Sequence, residues 1–184
     1  YRRGVRNFVV GTVPDHYEEL YPEANFLLVI SPLKALQRLA ERHREAFSIP
    51  IIGVTGSNGK TIVKEWLYQL LSPSMVVTRS PRSYNSQVGV PLSVCLLNEQ
   101  SQIGIFEAGI SQPDEMQTLR AMIQPTIGVM TNIGQAHQEN FATIEEKCLE
   151  KLSLFKDTNI LIYDGDDPVI SDCVQRSLYT GDLL

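Results

Sequence analysis

A glycine-rich segment that ends in lysine and threonine has the clearest chemistry in the sequence: Gly53-Val54-Thr55-Gly56-Ser57-Asn58-Gly59-Lys60-Thr61. It follows an apolar run and precedes a helical pattern, which is the setting of a phosphate-binding loop. Glycines let backbone N–H groups converge on phosphate oxygens, while Lys60 would neutralise phosphate charge and Thr61 would ligate Mg²⁺. Val54 stands where the general pattern has glycine, and a plain strand–helix turn is the alternative. The predicted ATP contacts are Thr55, Gly56, Ser57, Asn58, Gly59, Lys60 and Thr61.

Three further polar segments follow apolar runs: residues 79–89, 107–109 and 131–137. In a parallel sheet the carboxyl ends of the strands gather at one edge, so we expect these segments to face the glycine-rich loop. Glu107 is placed to hold Mg²⁺, which prefers oxygen ligands. A solvent-exposed glutamate is the alternative, and His137 by itself is typical of a structural or solvated histidine.

The elements that would position these residues alternate along the chain. Strands are predicted at residues 8–10, 26–30, 51–55, 75–78, 103–106, 127–131 and 160–163. Helices are predicted at residues 33–47, 61–71, 87–97, 143–155 and 168–176, with another that Pro113 can start and that Pro125 must follow. This alternation predicts an α/β fold, with a mostly parallel sheet of P-loop type flanked by helices.

The chain divides at the proline after the first long helix. Residues 1–47 are predicted to be the C-terminal part of a small α/β N-terminal domain plus a connecting helix. Residues 48–184 are predicted to be an ATP-binding central domain that is truncated at its C-terminal side. The chain has no initiator methionine, so we expect a piece of a longer polypeptide. The charged side chains of the connecting helix are predicted to form a solvated face: Arg38, Glu41, Arg42, Arg44 and Glu45.

Composition narrows the class of protein. Apolar residues make up 43% of the chain and the net charge is −5, so a packed core is expected and nucleic acid is disfavoured as a partner. No apolar run reaches the roughly 20 residues that span a bilayer. We expect a soluble, cytoplasmic protein whose three cysteines are buried and reduced.

Four ordered motifs carry a family resemblance: Asn85–Pro91 (NSQVGVP), Glu107-Ala108-Gly109, Asp114-Glu115-Met116 and the segment from Thr131 to His137. With the variant loop, they resemble the Mur ligase family, and within it the enzymes that add D-Ala-D-Ala to UDP-MurNAc-tripeptide. The resemblance implies a bacterial, ATP-dependent amide ligase of peptidoglycan synthesis that works through an acyl phosphate. The stretch from Arg79 to Val94 is similar to the form fused to an alanine racemase.

The resemblance also implies catalytic and metal-binding roles. Lys60 and Thr61 would hold ATP phosphates and Mg²⁺. Glu107 and His137 would bind Mg²⁺, with a second Mg²⁺ joining the acyl and γ-phosphate oxygens. Lys151 aligns with a lysine that relatives carry as a carbamate, N6-carboxylysine, which helps to position a metal ion. On composition alone, Lys151 is a solvated helix lysine.

For the substrates, the resemblance implies that Asn85 and Ser86 lie in the loop that contacts the muramoyl peptide, and that Asn132 supports the nucleotide side. Relatives often carry a second asparagine in place of Ser86. Two alternatives stay open: another Mur ligase or a folylpolyglutamate synthase, and a nucleotide-binding fragment without activity of its own.

Overall fold

The computed structural model describes residues 1–135 and 138–184. Its strands are β1 (Asn7–Val10), β2 (Asn25–Leu28), β3 (Ile51–Thr55), β4 (Val77–Arg79), β5 (Ile103–Glu107), β6 (Ile127–Met130), β7 (Ile160–Ile162) and β8 (Asp182–Leu183). Its α-helices are α1 (Tyr17–Leu20), α2 (Pro32–Glu45), α3 (Lys60–Leu71), α4 (Gly89–Val94), α5 (Glu115–Ile123), α6 (Ile144–Leu152) and α7 (Pro168–Arg176). Short 3₁₀ turns cover Gln138–Asn140 and Ser153–Phe155.

The predicted parallel α/β sheet is confirmed. β1 pairs with β2, and the other six strands form one sheet in the order β4-β5-β3-β6-β7-β8, with every pairing parallel. β3 lies between β5 and β6 and all of its residues are buried, which explains its continuous apolar run. The register pairs Val54 with Glu107 and Thr55 with Met130, so the segments after β3, β5 and β6 leave the same edge side by side.

The two faces of this sheet are covered differently. On one face, α3 packs its apolar side chains on β3 and β5. On the other, α2, α4, α5, α6 and α7 enclose the larger core. Within the part of the chain that the structure describes, no helix is both long and apolar enough to cross a membrane.

Helix α2 packs directly against this larger core. Ser31 caps its first turn by accepting a hydrogen bond from Lys34 N, and Pro32 occupies its first position. Arg42 and Glu45 form an exposed ion pair, as expected for a solvated face. The prediction for Arg44 is wrong, because its side chain is buried. The division of the chain near residue 47 stays a prediction.

Arg44 is buried because three carbonyl groups converge on its guanidinium. Its Nε donates to Ile123 O at 2.9 Å, Nη2 to Gln124 O at 3.1 Å and Nη1 to Phe47 O at 2.6 Å. Carbonyls at a helix end lack intrahelical partners, and a guanidinium has five donors in a fixed fork. Arg44 therefore joins the end of α2 to the end of α5.

Several predicted boundaries need correction. Asp114, with φ 65°, precedes α5, so Pro113 lies outside the helix rather than at its start. Gln124 ends α5 in a left-handed conformation directly before Pro125, as predicted. The helix predicted at residues 87–97 is limited to α4, while α1 and β8 were not predicted. Cys148 and Cys173 are buried thiols, but Cys95 is exposed, contrary to the prediction.

Candidate functional site

The loop between β3 and α3 has a backbone that requires glycine at two positions. Gly56 has φ 142° and Gly59 has φ 78°, and a Cβ on Gly56 would lie 2.0 Å from Thr131 Oγ1. Gly59 precedes α3 without any side-chain cap, so the first amides of this helix have no side-chain partner there. Unpaired N–H groups and the helix dipole together favour an anion at this point. The loop thus combines two glycine conformations with an uncapped helix start, which together favour an anion such as phosphate.

The segment after β6 forms hydrogen bonds that stabilise this loop. Ser57 N donates to Asn132 O and Asn58 N donates to Asn132 Oδ1, each at 2.9 Å. Gly134 N donates to Ser57 Oγ at 2.9 Å, and Thr131 Oγ1 donates to Asn58 O at 2.6 Å. The side chain of Asn132 therefore helps to fix the shape of the loop, because it accepts a hydrogen bond from the backbone amide of Asn58.

Lys60 and Thr55 of the loop motif also use their side chains within the protein. Lys60 Nζ donates to Gly56 O at 2.8 Å and to Ser57 O at 3.3 Å, so its ammonium lies over the loop. Burial lowers the pKa of Lys60, while the nearby charge of Glu107 opposes that shift. The Thr55 hydroxyl is buried and donates at 2.8 Å to Ala108 O, directly after β5. The carbonyl of Thr55 accepts from Thr131 N at 2.9 Å, so both its hydroxyl and its carbonyl are used within the protein.

Glu107, the last residue of β5, lies at the centre of the predicted site. Its side chain is fully buried, so the alternative of a solvent-exposed glutamate is wrong. Oε2 accepts a hydrogen bond from Thr61 Oγ1 at 3.0 Å and a longer one from Asn85 Nδ2 at 3.4 Å. Oε1 lies 3.0 Å from Lys64 Nζ. The structure thus brings together three predicted residues from three different segments of the chain.

Lys64 is the residue of this site that was not predicted from the sequence. It lies four positions after Lys60, and therefore on nearly the same side of α3. Its side chain is completely buried beside Glu107. The only available signal was that i,i+4 spacing, because solvated lysines at such spacing are common on helices.

A cleft of about 380 Å³ runs beside the loop. The predicted residues Ser57, Lys60, Asn85, Ser86 and Lys151 all line it. Ser86 Oγ accepts from Gly89 N at 3.2 Å, which fixes the start of α4. Asn85 O accepts from Gly109 N at 2.7 Å, which ties the loop before α4 to the segment after β5. Four separate segments thus share one cleft.

Lys151 lies opposite the loop on α6, with only 3% of its surface exposed. The composition-based alternative of a solvated helix lysine is therefore wrong. Its pKa is lowered to about 8, mainly by burial and further by the positive charges of Lys60 and Lys147. About a tenth of its side chains is thus a neutral amine at pH 7, far more than for an ordinary lysine.

The donor groups at this edge fit Mg²⁺. Thr61 Oγ1 and Glu107 Oε2 are hard oxygen ligands beside the helix terminus that would take phosphate. Among the described residues there is no cluster of three or more His, Cys, Asp or Glu side chains that could hold a metal ion alone. Mg²⁺ commonly completes its shell with water and phosphate oxygens, so such a cluster is not required. His137, the other predicted ligand, lies outside the described residues.

The chain resembles known proteins in both sequence and structure. Residues 54–180 match the family described as Mur ligase middle domain. The UDP-N-acetylmuramoyl-tripeptide–D-alanyl-D-alanine ligase of Bacillus subtilis is 34% identical over 161 residues, covering 84% of this chain and 35% of that relative. The enzyme of the same name from Borreliella burgdorferi is 37% identical over 126 residues, covering 68% of this chain and 27% of that relative. The chain thus spans about a third of the length of these relatives.

Solved structures show the same fold. The MurF ligase of Thermotoga maritima, solved in complex with ADP, superposes with a TM-score of 0.84 at 29% identity, covering 100% of this chain and 48% of that chain. MurF from Acinetobacter baumannii superposes with a TM-score of 0.85 at 24% identity, covering 96% and 38% respectively.

Proposed function

Because this chain belongs to the Mur ligase family, we propose that it is the ATP-binding part of an enzyme that joins D-Ala-D-Ala to UDP-MurNAc-tripeptide in peptidoglycan synthesis. The curated relatives named above carry that activity in their names. One observation carries the proposal for the chain itself. Thr61 of the loop and Asn85 of the segment before α4 meet on the buried Glu107 carboxylate.

The nucleotide side of the cleft would be held by the glycine-rich loop. The uncapped amides at the start of α3 and the ammonium of Lys60 would bind phosphate oxygens, and the dipole of α3 would add to their attraction. The Thr61 hydroxyl and Glu107 Oε2 hold Mg²⁺, and family resemblance adds His137. When bound, MgATP supplies the phosphoryl group that activates the substrate carboxylate. Lys60 neutralises charge without donating a proton, which suits a reaction that depends on positioning and electrostatics.

Lys151 would serve the same site as a carbamate. Only a neutral amine adds CO₂, and burial beside other lysines favours that form. The carbamate is an anion, so it would reverse the charge on this wall of the cleft and offer oxygen ligands to a second Mg²⁺. Without modification, Lys151 would present a cation or an amine there, and neither is a good ligand for Mg²⁺.

The substrate side would be formed by Asn85 and Ser86. The Asn85 amide is held by Glu107, and its backbone carbonyl by Gly109. Because Asn85 is held through both its side chain and its backbone, it would orient a carboxylate-bearing substrate with little loss of entropy on binding. Residues 1–47 would belong to the domain that contacts the UDP group. Fusion to an alanine racemase and a cytoplasmic location remain parts of the same proposal.

The test uses the full-length parent protein. Release of phosphate from ATP is measured with UDP-MurNAc-tripeptide and either D-Ala-D-Ala, D-alanine or glutamate as the amine. We expect release with D-Ala-D-Ala and little with the other two. Preference for glutamate would favour the folate-type alternative, and release without any amine would indicate a simple nucleotide hydrolase.

A second candidate follows from the length of the chain, which covers about a third of its relatives. By itself it would be a nucleotide-binding unit that lacks the surfaces for a complete reaction. We expect the 184-residue chain to bind ADP but to release no phosphate with both substrates present. Phosphate release by this chain at the rate of the full-length protein would contradict this second candidate.

A further inference from the structure

Lys64 is a lysine with no exposed surface, and its ammonium is surrounded by oxygen atoms. Nζ lies 3.0 Å from Glu107 Oε1 and 3.0 Å from Glu65 Oε1, and it donates to Ser80 O at 2.9 Å and to Arg82 O. A buried charge is costly unless it is paired and hydrogen-bonded, and Lys64 meets both conditions.

The carboxylate of Glu107 is oriented by this contact. Lys64 takes Oε1 on the inner side, while Thr61 and Asn85 contact Oε2 on the side of the cleft. The backbone N–H of Glu107 also donates to Ser80 Oγ, at 3.2 Å. The two carboxylate oxygens thus have separate environments: Oε1 lies against Lys64, and Oε2 lies against Thr61 and Asn85, of which Asn85 lines the cleft.

The same ammonium holds the segment that leads to Asn85. Ser80 and Arg82 accept through their carbonyls, and Arg82 has φ 49°, a left-handed conformation that is unusual for a residue other than glycine. The second carboxylate near Lys64, that of Glu65, is shared with Arg79, which forms its own ion pair there. Lys64 therefore adds to the hydrogen bonds that hold Glu107 and the segment from Ser80 to Asn85 relative to each other.

We infer that Lys64 is a positioning residue that presents Glu107 to Mg²⁺ through Oε2 alone and ties the substrate loop to the nucleotide site. The inference rests on the proposed function, because it assumes that Glu107 serves a nucleotide-bound cation. Lys64 itself has no exposed surface and does not line the cleft. A residue that orients a ligand in this way controls metal affinity without binding the metal.

The test is the affinity of the chain for ADP, measured by titration calorimetry with and without Mg²⁺. Lys64→Met keeps most of the buried volume and removes the ammonium. We expect it to reduce the gain in ADP affinity that Mg²⁺ provides by about tenfold or more, while ADP affinity without Mg²⁺ stays close to that of the original chain.

Arg44→Met is the matched control, because Arg44 is also a buried cation bonded to carbonyl groups but lies away from the cleft. It should lower stability and leave the Mg²⁺ dependence unchanged. An unchanged Mg²⁺ dependence in folded Lys64→Met, or an equal loss in Arg44→Met, would overturn the inference alone. If Mg²⁺ does not change the ADP affinity of the original chain, the proposed function is overturned as well.

If Lys64→Met does not fold, the original chain provides a second measurement. The ¹⁵N NMR signal of a buried, ion-paired ammonium is protected from exchange with water. We expect the signal of Lys64 to persist when ADP and Mg²⁺ are added together, because Oε1 stays with Lys64. Loss of that signal on adding Mg²⁺ would show that the cation displaces Lys64, which contradicts the inference.

Discussion

The hydroxyl of Thr61 donates a hydrogen bond to Glu107 Oε2 across 3.0 Å, which joins the start of α3 to the end of β5. The glycine-rich loop and the only buried carboxylate among the described residues are thereby one structural unit. A cation bound here would have a hydroxyl and a carboxylate oxygen already in place. Such preorganisation reduces the cost of ordering the ligands on binding.

We therefore expect Thr61→Val to weaken ADP binding in the presence of Mg²⁺ by about tenfold, equivalent to about 1.4 kcal/mol. Valine keeps the branched shape but has no oxygen, so Glu107 Oε2 loses one donor and the free energy of unfolding should fall by about 1–3 kcal/mol. Titration calorimetry at fixed Mg²⁺ provides the measurement. Thr118→Val, on α5 and outside the cleft, is the control and should bind ADP normally; an equal loss there would reject the specific role of Thr61.

Lys151 should form a carbamate when CO₂ is supplied. With a pKa of about 8, roughly half of its side chains are neutral at pH 8, against under about 1% for an ordinary lysine. Carbamate formation should accordingly rise as the pH increases from 7 through 8, provided that dissolved CO₂ is held constant. The measurement is the ¹³C NMR carbamate signal of the chain in ¹³C-labelled bicarbonate.

Two variants separate this site from other lysines. Lys151→Met should lose the carbamate signal, whereas Lys156→Met, which alters an exposed lysine near the end of the same segment, should keep it. A signal that survives in Lys151→Met, or one that is absent from the original chain at pH 8, would refute carbamate formation at this residue.

The sheet and the loop were predictable because their signals are local. A strand that is buried on both faces is a continuous apolar run, and β3 and β5 are such strands. The glycines of the loop indicate backbone conformations that other residues avoid. Glu107 could be proposed as a ligand because the end of a parallel strand fixes where its last residue lies.

The environments of Arg44 and Lys64 were not predictable in the same way. Both occupy helix positions that are normally solvated, and their burial depends on partners far along the chain. Arg44 is bonded to Ile123, and Lys64 is paired with Glu107. The spacing of apolar residues shows which side of a helix is apolar. It does not show which distant carbonyl or carboxylate group will bind a charged side chain.

Arg44 is expected to stabilise the docking of α2 on the central sheet. Arg44→Met removes the donors to three carbonyls at a buried junction, so the free energy of unfolding should fall by about 2–4 kcal/mol. Arg42→Met, two positions earlier in an exposed ion pair, should change it by less than about 1 kcal/mol. Urea denaturation of the two variants gives the comparison, and equal losses would contradict the proposed role of Arg44.

Gly56→Ala should disrupt the phosphate-binding loop. The backbone of Gly56 has φ 142°, and a Cβ there would approach Thr131 Oγ1 to 2.0 Å and the backbone of Asn132 to 3.0 Å. Either the loop or the segment after β6 must move, and the amides proposed to bind phosphate would be displaced. We expect ADP affinity to fall by at least about tenfold and the strain to destabilise the chain by about 1–3 kcal/mol.

Gly165→Ala is the matched control, because nothing lies within 4 Å of a Cβ at that position. It should leave ADP binding and unfolding unchanged, and normal ADP affinity in Gly56→Ala would show that the loop conformation is not what binds the nucleotide.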